Sequence, residues 1–523
     1  MVGVAGKSKG CNTCRKRKIA CDQQRPACAQ CARSNRVCGG YLRERVFVMV
    51  QPAAEKKHIF LKPQPLELSS HSKLSENGIK VWQRSSGSTQ VRSKQPFYSF
   101  TERGMAYGAM QNRHTRYNLV QAFLSNCFPA QQPRSTARSW IVLLAELPTG
   151  GNALELSSAA VAASVMGRMC QNPTLIRESL KLYTKGLQQL QRALWDPGLM
   201  REDGTLAACM ALSLYEALEC PSAGSEAYFS HCQGILALVE ARGVDAHSSG
   251  AGHQLFLGVR IPGILYGLER QTPNFIFDPV WIEQPWAATP KPFFHRVTDC
   301  LAKAPGILQR VRSLPHLSPD QQCHLIHELI HECWQIDEIL DRIYDDMQVA
   351  TSHPLYWLVP SEGNSFPAWG NLFPVVFSFT DLETATTLML LWAVRVMLWS
   401  GLCNLYRIIA PGMLMPQIIE TGELNPSIDE PFESLPPLGH RTDYLSMVHK
   451  VCQSVEYFLQ DELLLAGPLS VSVALGIVID TLREEPRYAP EVLWIGTALR
   501  AVQQKGLGLL KYARSAQGAT EVT

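Results

Sequence analysis

The sequence predicts two unlike parts: a small metal-organised module at the N-terminus, then a large all-α domain. Three observations carry this. Six of the 16 cysteines lie within the first 38 residues at a regular spacing. The excess of basic residues sits on the same short stretch. From about residue 106 onward apolar residues recur at helical intervals, and strand-like alternation is scarce. With 523 residues, 46% of them hydrophobic, the chain can bury a large core.

Residues 1–10, MVGVAGKSKG, read as a basic tail. They lack the apolar core of a secretory signal, so a reducing compartment and free thiols are expected. Gly6-Lys7-Ser8 is a stump of a phosphate loop, and Gly6 to Gly10 also spells G-x-S-x-G. No strand precedes either, and both read as accidents of a small-residue terminus.

Cys11, Cys14, Cys21, Cys28, Cys31 and Cys38 follow as C-x2-C-x6-C-x6-C-x2-C-x6-C, a repeat of one half upon the other. Thiolates at this density bind a soft metal. A structural zinc takes four ligands in a tetrahedron. Six cysteines exceed one such site and fall short of two separate ones. Two ions fit if two cysteines each bridge both. The alternatives are one four-cysteine zinc ribbon with two idle thiols, and a disulfide framework.

Arg15, Lys16, Arg17 and Lys18 fill the gap after the second cysteine. From Met1 to Arg45 there are eleven Lys or Arg against Asp22 and Glu44, a net +9. The whole chain carries +3, so the remainder is −6. Such asymmetry is the electrostatic footprint of a nucleic-acid binder. A basic side chain in the major groove can donate to guanine O6 and N7. A helix starting near Cys14 would project Lys18 and Arg17 toward base edges on adjacent faces, with Arg15 and Lys16 nearer phosphate. A solubilising charge run and a nuclear import signal are the alternatives.

The stretch from Cys11 to Tyr41, CNTCRKRKIACDQQRPACAQCARSNRVCGGY, resembles the zinc binuclear cluster of fungal transcription factors. The six cysteines, the basic run, Arg25-Pro26 and the closing Cys38 to Tyr41 carry the likeness. The resemblance implies two short helices around two zinc ions per chain, with Cys11 and Cys28 bridging the metals. It also implies that the helix after the second cysteine enters the major groove of double-stranded DNA. There Arg17 and Lys18 would reach base edges, typically of a CGG triplet.

Residues 46–105 read as a linker. Gln51 to Gln95 mixes Pro, Ser, Lys and Gln without sustained periodicity, and Val46 to Val50 is a short apolar patch. No sustained apolar heptads follow the cysteines, so monomer and homodimer both stay open.

Residues 106–515 are expected to form the all-α domain. Leu180, Tyr183, Leu187, Leu190 and Leu194 form an amphipathic stripe, with Pro173 in the first turn and Trp195 to Gly198 ending it. Other helical stretches run near Ser157–Cys170, Thr205–Leu218, Phe229–Ala241, Gln322–Met347, Leu382–Ile409, Tyr444–Leu464 and Glu491–Ala513. Long loops are Pro-rich, at Pro285 to Pro292, Pro354 to Pro374 and Pro411 to Pro437. Leu180 to Leu194, Thr205 to Leu218 and Tyr228 to Gly243 resemble the fungal-specific transcription factor domain, which implies a regulatory role. His231 reads as a core histidine, with a ligand contact as the alternative. The ten later cysteines, Cys127 to Cys452, read as buried inert thiols.

One rival motif is present. His327-Glu328-Leu329-Ile330-His331 spells H-E-x-x-H, which on a helix could hold catalytic zinc. The longer form wants Gly at 334 and His at 337, where the chain has Trp334 and Asp337. The most apolar run, Leu388 to Trp399, contains Arg395 and is too short to span a bilayer, so no membrane is expected. Glu420 to Glu433, acidic and partly hydrophobic, is either a surface loop or a coactivator contact.

The expected function is therefore a nuclear, sequence-specific DNA-binding regulator of RNA polymerase II genes, in contact with transcription machinery or coregulators. It is not expected to be an enzyme. The competing classes are a zinc hydrolase using His327, Glu328 and His331, and a zinc-organised interaction protein that never reads bases.

Overall fold

The computed structural model describes residues 11–17, 19–22, 24, 28–34, 36, 38, 112–128, 136–148, 152–219, 225–361, 372–409, 435–483 and 485–507. The basic tail, Lys18, Arg25-Pro26, Tyr41, the Val46–Val50 patch, the linker and the acidic segment lie outside them. The chain divides into two units, Met1–Ser75 and Glu76–Thr523.

The first unit holds two five-residue helices, α1 (Asn12–Lys16) and α2 (Ala29–Arg33). Neither is long enough to be stable by itself.

Among the described residues the second unit is built of helices and one hairpin. The helices are α3 (Arg113–Cys127), α4 (Thr136–Glu146), α5 (Asn152–Met169), α6 (Pro173–Trp195), α7 (Asp203–Glu219), α8 (Glu226–Arg242), α9 (Gly250–Arg270), α10 (Pro279–Glu283), α11 (Phe293–Ala302), α12 (Ala304–Ser313), α13 (Pro319–Ala350), α14 (Leu382–Ile409), α15 (Tyr444–Phe458), α16 (Ala466–Leu482) and α17 (Ala489–Gln504). Their starts carry local signals. The Asn172 side chain accepts from the amides of Thr174 and Leu175, and Pro173 takes the first helical position of α6. Ser318 and Gln321 form a reciprocal capping box ahead of α13. Gly243, at φ +82°, ends α8 in a backbone conformation that glycine adopts freely.

The face that α6 buries contains the predicted stripe except at its first residue: Tyr183 and Leu190 are buried, and Leu187 and Leu194 pack against the core. Leu180 is 39% exposed, while Leu175, Ser179, Leu182, Tyr183, Gly186, Leu190 and Ala193 are buried. Ser179, Gly186 and Ala193 recur every seven residues as a seam of small side chains. A Cβ on Gly186 would stand 2.9 Å from the Ser157 hydroxyl, so α5 approaches at a distance that only glycine permits. Large apolar residues alone mark a stripe, but close helix packing is set by the small ones.

Strand β1 (Tyr356–Pro360) corrects the reading of Pro354 to Pro374 as loop throughout, and β2 (Val375–Phe379) follows that segment in a domain expected to be all-α. They pair antiparallel with Tyr356 opposite Phe379 and Pro360 opposite Val375. The pair gains stability by packing on Trp392, whose ring lies 5.4 Å from that of Tyr356. Runs of five residues are too short to separate from loop by periodicity.

Helix α14 matches its predicted span, and it also revises the length argument. All 28 residues are helical, with a mean hydropathy of 1.6 in the most apolar window, long and apolar enough to cross a membrane. Yet 72% of that window is buried within the unit, the environment of a core helix. Arg395 has an internal partner there. Asp337 on α13 is fully buried, accepts from Trp399 Nε1 at 2.9 Å, and pairs with Arg395 and Arg441. Arg441 lies over the Trp334 ring, 4.0 Å from its centroid. This network joins α13, α14 and the short turn Gly439–Thr442. The predicted segment Tyr444–Leu464 splits into α15 and a separate 3-10 turn, Asp461–Leu463, while α17 ends at Gln504.

Candidate zinc centre and nucleic-acid interface

The cysteine module is built as two copies of one local design. The Cys14 amide donates to Cys11 Sγ at 3.3 Å, and the Cys31 amide to Cys28 Sγ at 3.4 Å. The Ile19 amide reaches the Cys14 carbonyl at 3.1 Å, and the Arg36 amide the Cys31 carbonyl at 3.0 Å. Each C-x2-C thus wraps the first turn of a short helix around a sulfur, and amide donors favour the thiolate.

The sulfurs converge. Those of Cys11, Cys14, Cys21 and Cys28 lie within 4.8 Å of one another, and so do those of Cys11, Cys28, Cys31 and Cys38. Both sets contain Cys11 and Cys28. Sulfurs about 2.3 Å from a tetrahedral zinc stand about 3.8 Å apart. The Cys14–Cys28 separation is 3.6 Å, its counterpart Cys11–Cys31 is 3.7 Å, and Cys11–Cys28 is 3.6 Å. The donor set fits two ions. Cys11, Cys14, Cys28 and Cys31 are fully buried, and burial pushes the Cys14 thiol up to about 12 and raises Cys28 further. Metal binding therefore has to displace protons from these sulfurs.

The basic side chains lie on the same small unit. Lys16 and Arg17 are exposed, and Arg15 belongs to α1. The helix starts at Asn12 rather than near Cys14 and stops at Lys16, so Arg17 sits in the turn that closes it. Its guanidinium Nη1 donates to Ser34 Oγ at 3.0 Å. Ser34 stands three residues after Cys31, as Arg17 stands three after Cys14. Sequence reasoning missed Ser34, although the repeat register could have found it. It missed Asp22 too, whose carboxylate accepts the Ala29 amide at 3.1 Å and places negative charge at the start of α2.

The H-E-x-x-H residues do not converge on a metal position. His327 Nδ1 donates to the Cys323 carbonyl at 2.8 Å, Glu328 is exposed and 3.3 Å from His324 Nδ1, and His331 is exposed. Among the described residues the groups of three or more His, Cys, Asp or Glu able to hold a metal are the two cysteine sets. His231 is buried, with Nε2 3.5 Å from the Tyr183 hydroxyl, and burial pushes it down to about 4. Cys209 and Cys232 are buried thiols pushed up to about 12, the state of inert core cysteines.

Residues 9–45 match the fungal Zn(2)-Cys(6) binuclear cluster domain. That domain binds two zinc ions, the number the two cysteine sets accommodate. An uncharacterized protein of Emericella nidulans, AN5342, is 26% identical over 204 residues, 37% of this chain and 43% of that protein. The transcriptional regulatory protein moc3 of Schizosaccharomyces pombe is 38% identical over 63 residues, 12% of this chain and 11% of its own. An uncharacterized transcriptional regulatory protein of the same yeast, C15D4.02, is 56% identical over 32 residues, 6% of either chain. The chain thus spans less than half the length of the curated relatives it matches. No solved structure matches it.

Proposed function

We propose that this chain is a sequence-specific DNA-binding regulator of transcription, without enzymatic activity, and that its cysteine module reads DNA in the major groove. The observation that carries this reading is the pair of sulfur sets sharing Cys11 and Cys28, set beside the exposed Lys16 and Arg17. In this reading all six cysteines are zinc ligands, and Cys11 and Cys28 each serve both ions. Zinc supplies the folding energy of a module too small to have a core, and holds its sulfurs as thiolates.

The DNA-facing residues are Arg15, Lys16, Arg17 and Lys18. Phosphate contacts position such a module and base contacts specify. The reading assigns Lys18 first to a guanine edge of a CGG-like triplet, and Lys16 to phosphate. The bond from Arg17 to Ser34 supports a bracing role for Arg17 between the two halves, alongside any DNA contact. The helical residues 106–515 act as the regulatory domain, in the nucleus, on RNA polymerase II genes and through coregulators, with the chain acting alone or as a homodimer.

Selection of bound DNA from random oligonucleotides by the full chain tests the reading. Enrichment of a CGG-like triplet is expected, with loss of enrichment in the presence of a zinc chelator. Recovery of unselected sequences with zinc bound would leave a metal-organised interaction module and remove the base-reading role.

A further inference from the structure

The helical unit holds a half-open cleft of about 910 Å³, bordered by α9, α12, α14 and α16 and reaching α4, α7 and α8. Ile261 and Leu265 line it from α9, Leu308 from α12, Gly401 from α14, and Val473 and Gly476 from α16. A volume of this order is that of a site for a drug-sized molecule, which typically takes about 300–1,000 Å³.

Two glycines border the space and keep it free of side chain. Gly401 and Gly476 both lie inside helices, where glycine is unfavourable relative to alanine. Among the described residues a Cβ added at either meets no atom within 4 Å, as is also true of Gly306 and Gly496, which do not line the cleft. Where α6 uses Gly186, by contrast, a neighbouring helix fills the space. At Gly401 and Gly476 the missing side chain leaves room that a bound molecule would take.

The lining also states what would fit. Three of the hydroxyls along it are turned back on their own helices. Ser472 Oγ donates to the Leu469 carbonyl at 2.9 Å, Thr481 Oγ1 to Ile477 at 2.8 Å, and Thr386 Oγ1 to Leu382 at 2.6 Å. Their methyl and methylene groups are left to the cavity. The charged residues of the lining are Glu269, Glu383 and Asp480 against Arg483, a balance that disfavours an anion. Glu269, Asp480 and Arg483 are exposed, at the ends of α9 and α16. The geometry points to a binding site for an uncharged, largely hydrocarbon small molecule in the helical unit. This goes beyond the DNA-reading function and is independent of it.

The test uses the full chain and Nile red, an uncharged apolar fluorophore, with the anionic anilinonaphthalene sulfonate for comparison. Saturable, blue-shifted Nile red binding is expected, tighter than that of the anionic dye. Gly401→Leu and Gly476→Leu each place a side chain where the ligand would sit. At least one should weaken Nile red about tenfold or more while retaining the helical circular dichroism, since a filled site cannot repack without strain. The parent chain alone can defeat the proposal, by showing no saturable Nile red binding or by preferring the anionic dye. Binding unchanged in both folded variants would place the dye elsewhere and overturn it as well.

Discussion

At the scale of single residues, the decisive chemistry is which atoms are shared. Cys11 and Cys28 belong to both sulfur sets, whereas Cys14, Cys21, Cys31 and Cys38 each belong to one. Cys11→Ala or Cys28→Ala is therefore expected to lose both zinc ions, and Cys21→Ala or Cys38→Ala to perturb mainly one at first. Zinc per chain, measured by atomic emission, checks this, and a parent stoichiometry near one would contradict shared ligands. The basic run divides by contact type. Lys18→Ala should cost about 1–3 kcal/mol on the selected site, with little effect on random DNA. Lys16→Ala should weaken all sequences alike and lower the salt slope by about 1. Equal losses on selected and random DNA for Lys18→Ala would move base reading to another residue. The cysteines and their repeat were legible because spacing is a property of the chain. The Arg17–Ser34 contact was not, because it depends on how two helices of five residues are brought together.

Among the elements, α6 shows what periodicity can and cannot decide. The stripe located the helix, both of its ends and four residues of its packed face, but it counted Leu180 among them and omitted the small residues. Leu180→Ala should change stability by no more than about 0.5 kcal/mol, whereas Leu190→Ala should cost about 2–5 kcal/mol. Urea unfolding of the two variants separates the exposed member of the stripe from a buried one, and equal losses would return Leu180 to the buried face. Helices α13 and α14 meet through charge as well as apolar contact. Asp337 holds Arg395 and Arg441 together with Asp341, which also faces both guanidinium groups. Asp337→Ala should cost about 1–3 kcal/mol, because it leaves the buried Trp399 indole N–H without its acceptor while Asp341 still faces the arginines. A loss under about 1 kcal/mol would show that water already reaches the pair.

Across the whole molecule, buried histidines set the response to acid. Burial pushes His231 down to about 4 and also lowers His247 and His295. The unfolded chain binds protons at His231 below its ordinary value of about 6.5, while the folded chain resists until about 4. Its contribution is thus fully present above about pH 6.5, and falls away as pH drops toward 4. The loss from His231 is at most about 3 kcal/mol. Denaturant midpoints measured between pH 7 and pH 4 should fall, and His231→Phe should flatten the fall. An unaltered slope in that variant would assign the acid response to other groups.

The sequence by itself determined the cysteine repeat, the charge asymmetry, the helical texture and the full span of α14, because each is written in spacing along one chain. Only the tertiary structure decided the rest. It added the small residues to the buried face of α6 and removed Leu180 from it, since that depends on a neighbour's approach to Gly186. It paired β1 with β2, since two five-residue runs gain their identity from each other and from Trp392. It gave Arg395 its partner from another helix, and it opened a cavity at Gly401 and Gly476. Contacts between residues distant in sequence leave no periodic trace, so those features become visible only when the helices are packed.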